Sequence, residues 1–169
     1  MDTALADLSL RVGRALRQAQ LTLASAESCT GGWVAQVVTH SAGSSDWFER
    51  GFVTYSNSAK IEQLGVAASL LDRYGAVSME VAGAMAAGAL AHSRAAVALA
   101  ITGIAGPSGG SPDKPVGTVC FSWCFLGETP ATDRRQFDGD RESVRYQSVL
   151  FALEELLVRV AARSMPFVQ

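Results

Sequence analysis

The sequence predicts a three-layer α/β/α sandwich with a mostly parallel sheet. Two observations carry this. Strand-like and helix-like segments alternate along the chain. Two of the strand segments, the short, mainly apolar Leu21–Ala26 and the continuous apolar run Ala95–Ile101, read as buried strands, the latter with the pattern of a strand covered on both faces.

Taken in order, Thr3–Gln20 has apolar residues at helical spacing (Leu5, Leu8, Val12, Leu16), with Asp2 or Thr3 able to cap its start. Leu21–Ala26 reads as a buried strand. Glu27-Ser28-Cys29-Thr30-Gly31-Gly32 makes a turn, and Trp33–His40 continues as a helix closed by Ser-Ala-Gly-Ser-Ser. Arg50–Ser56 alternates like a strand. Asn57 or Ser58 is expected to cap a short helix holding Lys60 and Ile61. Leu70–Tyr74 is a further helical piece closed by Gly75, and Ser78 caps a small-residue helix, Met79–His92. After the strand Ala95–Ile101, residues Thr102–Gly117 contain five glycines and three prolines and read as a loop. Thr118–Phe125 is a second strong strand, a neighbour of the first across that loop and able to run antiparallel to it. Thr129–Phe137 is a polar edge strand, and Asp138-Gly139-Asp140 caps the last helix, Arg141–Arg163. With no repeat or linker, residues 1–169 read as one domain.

Composition narrows the function classes. Hydrophobic residues make up 49% of the 169 residues and charged ones 18%, enough apolar content to build a core. The net charge of −2 and the lack of a basic run argue against tracking nucleic-acid phosphates. No segment has the apolar length of a membrane span or a signal peptide, and the three cysteines, Cys29, Cys120 and Cys124, lack zinc-site spacing. A reduced, cytoplasmic setting is therefore expected. Two histidines near helix ends make a Ser-His-Asp triad or a metal centre a poor fit, and no phosphate-loop motif is present.

Three segments arrive with chemistry at the carboxyl ends of strands, where sites of open α/β sheets gather. Ser28-Cys29-Thr30-Gly31-Gly32 places hydroxyls, a thiol and accessible backbone at a helix start, whose free N–H groups could hold an anion. Simple capping explains the same residues equally well. With Asn57 as cap, Lys60 falls in the first turn of a helix. A cation is disfavoured there, and burial would push the amine further toward the neutral form, which can activate a serine. A solvated surface lysine is the ordinary alternative. Tyr55 reads on its own as core packing at a strand end. Thr102-Gly103, at the exit of a central strand, could donate backbone N–H groups to a ligand or merely open a surface loop.

Six segments occur in one order: Ala26-Glu27-Ser28-Cys29-Thr30-Gly31-Gly32, Gly51–Asn57, Gly75-Ala76-Val77-Ser78, Thr102–Pro107, Lys114–Val119 and Gly139-Asp140-Arg141. Together they resemble the CinA C-terminal domain family, whose enzymes are nicotinamide-nucleotide amidases. The resemblance spans nearly the whole chain and implies a five-stranded mixed sheet. It also implies hydrolysis of the carboxamide of nicotinamide mononucleotide by a serine nucleophile assisted by lysine and tyrosine, with no cofactor or metal. By motif these are Ser28, Lys60 and Tyr55. Thr30, Gly31, Gly32, Asn57, Thr102, Gly103 and Arg141 are then the expected substrate contacts, with Arg141 the candidate for the phosphate. The resemblance is to the stand-alone form of the family and favours a homodimer; the small residues Gly83, Ala84, Ala87 and Gly88 permit close packing on the sheet or on a second subunit. The alternatives are a nucleotide-binding module without turnover and an amidase for another small amide.

Overall fold

A computed structural model describes residues 1–164. The elements run α1 (Thr3–Gln18), β1 (Leu23–Glu27), α2 (Trp33–Val38), a short 3-10 turn (Ser44–Asp46), β2 (Phe48–Val53), α3 (Asn57–Leu64), α4 (Ala68–Tyr74), α5 (Met79–Ala91), β3 (Val97–Gly103), β4 (Thr118–Phe125), β5 (Ala131–Gln136) and α6 (Arg141–Ser164). The five strands form one sheet in the order β2-β1-β3-β4-β5. β1 pairs in parallel with β2 and β3, while β4 runs antiparallel to both β3 and β5. Four strands therefore point the same way and β4 alone opposes them, the mixed but mostly parallel sheet expected.

Side-chain size sorts the two faces. On β3, Val97, Leu99 and Ile101 join Val119, Phe121, Trp123 and Phe125 of β4 in a core covered by α1, α2 and α6. The alternate residues Ala98, Ala100 and Cys124 face a second core with α3, α4 and α5. Strand alternation sends these two sets to opposite faces. The small-residue face admits α5 at close range. A Cβ on Gly88 would meet the Leu64 carbonyl oxygen at 2.0 Å, so the α5–α3 contact requires glycine at that position. Gly83 likewise lies over Pro130 and Thr132. The small residues Gly83 and Gly88 are thus used in packing within the chain.

Several expected boundaries move. α1 stops at Gln18 because Gln20 turns into the left-handed region (φ 55°) and the Leu21 N–H closes back onto the Leu16 carbonyl, a common helix ending. The first strand begins at Leu23 and takes in Glu27, and the α2 helix ends at Val38, with Thr39 as its C-cap. β2 starts earlier, at Phe48, and ends at Val53; Tyr55 and Ser56 lie beyond it. Ser56, rather than Asn57 or Ser58, caps α3, its Oγ accepting from the Ala59 N–H at 3.1 Å. Lys60 becomes the fourth residue of the helix instead of the third. Thr102 and Gly103 are the last residues of β3 rather than the start of the loop. Among the described residues no helix is long and apolar enough to cross a membrane.

Candidate active site

β1, β2 and β3 are parallel, so their carboxyl ends share one edge of the sheet. Ser28 follows β1, Tyr55 and Lys60 follow β2, and Thr102 and Gly103 close β3. They line one pocket of about 200 Å³ together with Cys29, Ala76, Val77, Ala105 and Arg141. Six of the ten expected site residues meet here.

At its base, Lys60 is 1% exposed, and its Nζ donates to Ser28 Oγ at 3.0 Å and to the Thr54 carbonyl at 2.8 Å. Burial holds the Lys60 pKa below the ordinary lysine value. The solvated-lysine reading is therefore set aside. Cys29 makes a poor nucleophile: burial pushes its thiol up to about 12, which disfavours the thiolate near neutrality.

Tyr55 is not core packing. It is 60% exposed, and its hydroxyl accepts from Arg141 Nη2 at 2.8 Å. Arg141 also donates through Nη1 to the Gly106 carbonyl at 2.8 Å, so its guanidinium joins α6 to the segments after β2 and β3. Thr102 is buried, and its hydroxyl donates to the Ala76 carbonyl at 2.8 Å, fastening the Ala76-Val77 wall. Gly103 needs the absence of a side chain: a Cβ there would stand 2.8 Å from Val119 and 3.1 Å from Cys29 Sγ. The β1–β3 register ends at Glu27↔Ile101, so on its β1 side Gly103 passes beyond the last strand rung.

Thr30, Gly31 and Gly32 lie instead in an adjoining hollow of about 590 Å³, with Trp33, Gln36, Asp140, Arg141, Glu142 and Arg145. Arg141 lines both cavities. Asn57 lines neither and stands exposed as the first residue of α3.

The expectation of free N–H groups at the α2 start fails, for a reason sequence reasoning missed. Glu27, 1% exposed, folds its carboxylate back onto the turn. It accepts from the N–H groups of Gly32 (3.1 Å), Val34 (3.0 Å) and Ala35 (2.9 Å), and from the Thr30 hydroxyl at 2.7 Å. A carboxylate is favoured at that end of a helix. The available signal was an acid at the end of a buried strand immediately before a helix start. Arg145 was missed as well: Nε donates to the Cys29 carbonyl at 3.0 Å and Nη2 to the Thr30 carbonyl at 2.9 Å, while the guanidinium lies 5.3 Å from the centre of the Trp33 ring.

The model of the CinA C-terminal domain matches residues 5–160. The chain belongs to the CinA C-terminal domain family. Within that family it is 53% identical over 155 residues to the nicotinamide-nucleotide amidohydrolase PncC of Escherichia coli (strain K12), covering 92% of this chain and 94% of that protein. A CinA-like protein of Syntrophobacter fumaroxidans is 51% identical over 142 residues, which are 84% of this chain and 33% of that longer protein. Among solved structures, the competence/damage inducible protein CihA from Agrobacterium tumefaciens superposes with a TM-score of 0.90 at 41% identity, covering 95% of this chain and 98% of that one. Fold and family thus agree with the resemblance read from the six motifs.

Proposed function

We propose that this chain is a nicotinamide-nucleotide amidohydrolase that works through Ser28 activated by Lys60. The observation that carries the reading is a buried lysine amine in direct contact with a serine hydroxyl at the bottom of a pocket. A neutral amine at that position accepts the Ser28 proton along the 3.0 Å contact. Ser28 Oγ attacks the carboxamide carbon, and the negative charge develops on the former carbonyl oxygen, among backbone N–H groups of the pocket wall. The ammonium of Lys60 returns its proton to the departing nitrogen, which leaves as ammonia. Water, deprotonated by the same amine, hydrolyses the acyl-enzyme and releases the carboxylate. Tyr55, on the same wall and hydrogen-bonded to Arg141, is the second hydroxyl available to the proton relay.

The two cavities favour a nucleotide over a small free amide. A pocket of about 200 Å³ is smaller than ordinary ligand sites of about 300–1,000 Å³, and accepts the pyridine ring with its carboxamide but little more. The 590 Å³ hollow beyond Arg141 has room for the ribose phosphate, with Arg141 and Arg145 as its cations. The PncC relative carries the same substrate in its name. Ammonia release from nicotinamide mononucleotide by the purified protein, with free nicotinamide as the comparison, tests the reading. Turnover of nicotinamide alone would make it a small-amide hydrolase, and binding of the nucleotide without ammonia would make it a binding module.

A further inference from the structure

Thr54 meets Lys60 with its backbone while its own side chain stands idle. The residue is fully buried, and its Oγ1 has no hydrogen-bond partner among the described residues. Its N–H donates to the Glu27 carbonyl at 2.8 Å, just past the paired end of β2, and its carbonyl accepts from Lys60 Nζ at 2.8 Å. Trp47 Nε1, Ser122 Oγ and Arg159 Nε are also buried without partners, but none belongs to a residue bonded to Ser28 or Lys60. Buried hydroxyl groups are ordinarily paired, so an open one beside a working amine needs a reason.

The strand ladder aims the hydroxyl. Thr54 continues that ladder, so alternation puts its side chain on the same face as Phe52. Phe52 packs on the core that holds Leu64 of α3. Lys60 stands on α3 and reaches Ser28 from that face.

The proton count supplies the reason. A neutral lysine amine has two N–H groups, and Ser28 Oγ and the Thr54 carbonyl take both. When the amine accepts the Ser28 proton it becomes an ammonium with three. The third N–H has no acceptor among the described residues, and leaving a buried charged donor unpaired is costly. We propose that Thr54 is a positioning residue whose hydroxyl accepts this third N–H while Lys60 carries the serine proton. This rests on the serine–lysine amidase reading above. Thr54 lines neither cavity, so it acts through Lys60 and not on the substrate.

The other charged and titratable groups near Lys60 are accounted for. Burial pushes the Cys29 thiol up to about 12, and the Glu27 carboxylate is turned onto the α2 start. Tyr55 and Arg141 share the pocket and bond to each other. Glu62 of α3 and Glu80 of α5 are exposed.

Thr54→Val tests the proposal, because valine is close in shape, keeps the carbonyl and drops only the hydroxyl. Lost stabilisation of the ammonium makes Lys60 a weaker base. On nicotinamide mononucleotide, kcat at its alkaline plateau should fall about tenfold, and the acidic limb of kcat/KM should move down by about one pH unit, the size of a hydrogen bond to a charged group. KM should change little, since no substrate contact is lost. Thr54→Ser keeps the hydroxyl and should restore the limb and most of kcat. A merely unpaired core hydroxyl predicts another pattern: Thr54→Val with wild-type kcat and limb, and a thermal midpoint that holds or rises. That pattern overturns the proposal, as does a limb that moves up. Should Thr54→Val not fold, Thr54→Ala, which also keeps the carbonyl, decides by the same limb. Failure of the underlying reading shows separately, as ammonia release that survives Ser28→Ala.

Discussion

Lys60 Nζ stands 3.0 Å from Ser28 Oγ inside the protein, and the described residues offer it no ion-pair partner. Its two contacts are a hydroxyl and the Thr54 carbonyl, both satisfied by a neutral amine. An ammonium held there would lack the counter-charge that buried cations ordinarily require. The same geometry therefore explains why the lysine pKa is lowered and why the serine is the group it would deprotonate.

Ser28→Ala is expected to reduce kcat by about 10⁴-fold or more while leaving the thermal midpoint within a few degrees, since only the hydroxyl is lost. Ammonia release and a thermal scan on the same preparation check both halves. Retained activity would move the nucleophile elsewhere in the turn. Thr30 and Cys29 are poor candidates: the Thr30 hydroxyl is committed to Glu27 and the Cys29 thiol is pushed up to about 12.

Tyr55→Phe removes the acceptor of the Arg141 bond from a side chain that is 60% exposed. Stability should hardly change, because exposed substitutions usually stay within about 0.5 kcal/mol. If the hydroxyl takes part in the relay, kcat should fall by about 10²-fold, in the range of a single acid–base contribution. If it serves only to hold Arg141 in place, KM should rise instead.

Gly88→Ala tests the packing of α5 on α3. The new methyl group would fall 2.0 Å from the Leu64 carbonyl oxygen and 2.9 Å from its carbon, backbone atoms with little freedom to move. Overpacking of this kind costs about 1–3 kcal/mol, a drop in Tm of about 2–4 °C per kcal/mol for a chain this long. Calorimetry that shows an unchanged Tm would mean that α3 can slide.

The fold was legible because the continuous apolar run Ala95–Ile101 and the small-polar/large-apolar alternation of Thr118–Phe125 are strong, local signals. Lys60 and Ser28 were legible as candidates for a different reason: Ser28 stands directly after β1 and Lys60 in the first turn of the helix that follows β2, where the topology gathers chemistry. Glu27 and Arg145 were not. Glu27 acts on donors up to eight positions later in the chain, and Arg145 reaches carbonyls 115 and 116 positions earlier. Neither distance leaves a mark in local periodicity. The exposure of Tyr55 was misjudged because β2 ends at Val53, and a residue past the end of a strand is no longer assigned a face by alternation.

Activity should withstand chelation. Among the described residues no group of three or more His, Cys, Asp or Glu side chains is arranged to hold a metal ion. Prolonged dialysis against EDTA should leave kcat/KM unchanged; a loss that zinc or magnesium restores would show a metal in the reaction.

The role of Lys60 is tested most directly by pH and by arginine. If the neutral amine is the base, kcat/KM should rise with pH on its acidic side, with an apparent pKa below the ~10.4 of a free lysine, because burial lowers it. Lys60→Arg should be nearly as inactive as Lys60→Ala, since arginine keeps the charge but cannot accept the proton. An electrostatic anchor would behave differently: the arginine variant would keep much of its kcat and change chiefly in KM. Stability supplies an independent arm. Because the folded pKa is lower than the unfolded one, the unfolded chain binds more protons between the two, and this group's contribution must favour folding more strongly as pH rises through that window. Lys60→Met lacks the titration. The stability of wild type relative to Lys60→Met should therefore improve as pH rises from the lowered folded pKa toward the ~10.4 of an unfolded lysine, and level off once the unfolded lysine is also neutral. Denaturant midpoints for the two proteins across that range read the slope. A flat difference would mean that Lys60 is as protonated folded as unfolded, and an active Lys60→Arg enzyme would assign the base to another group.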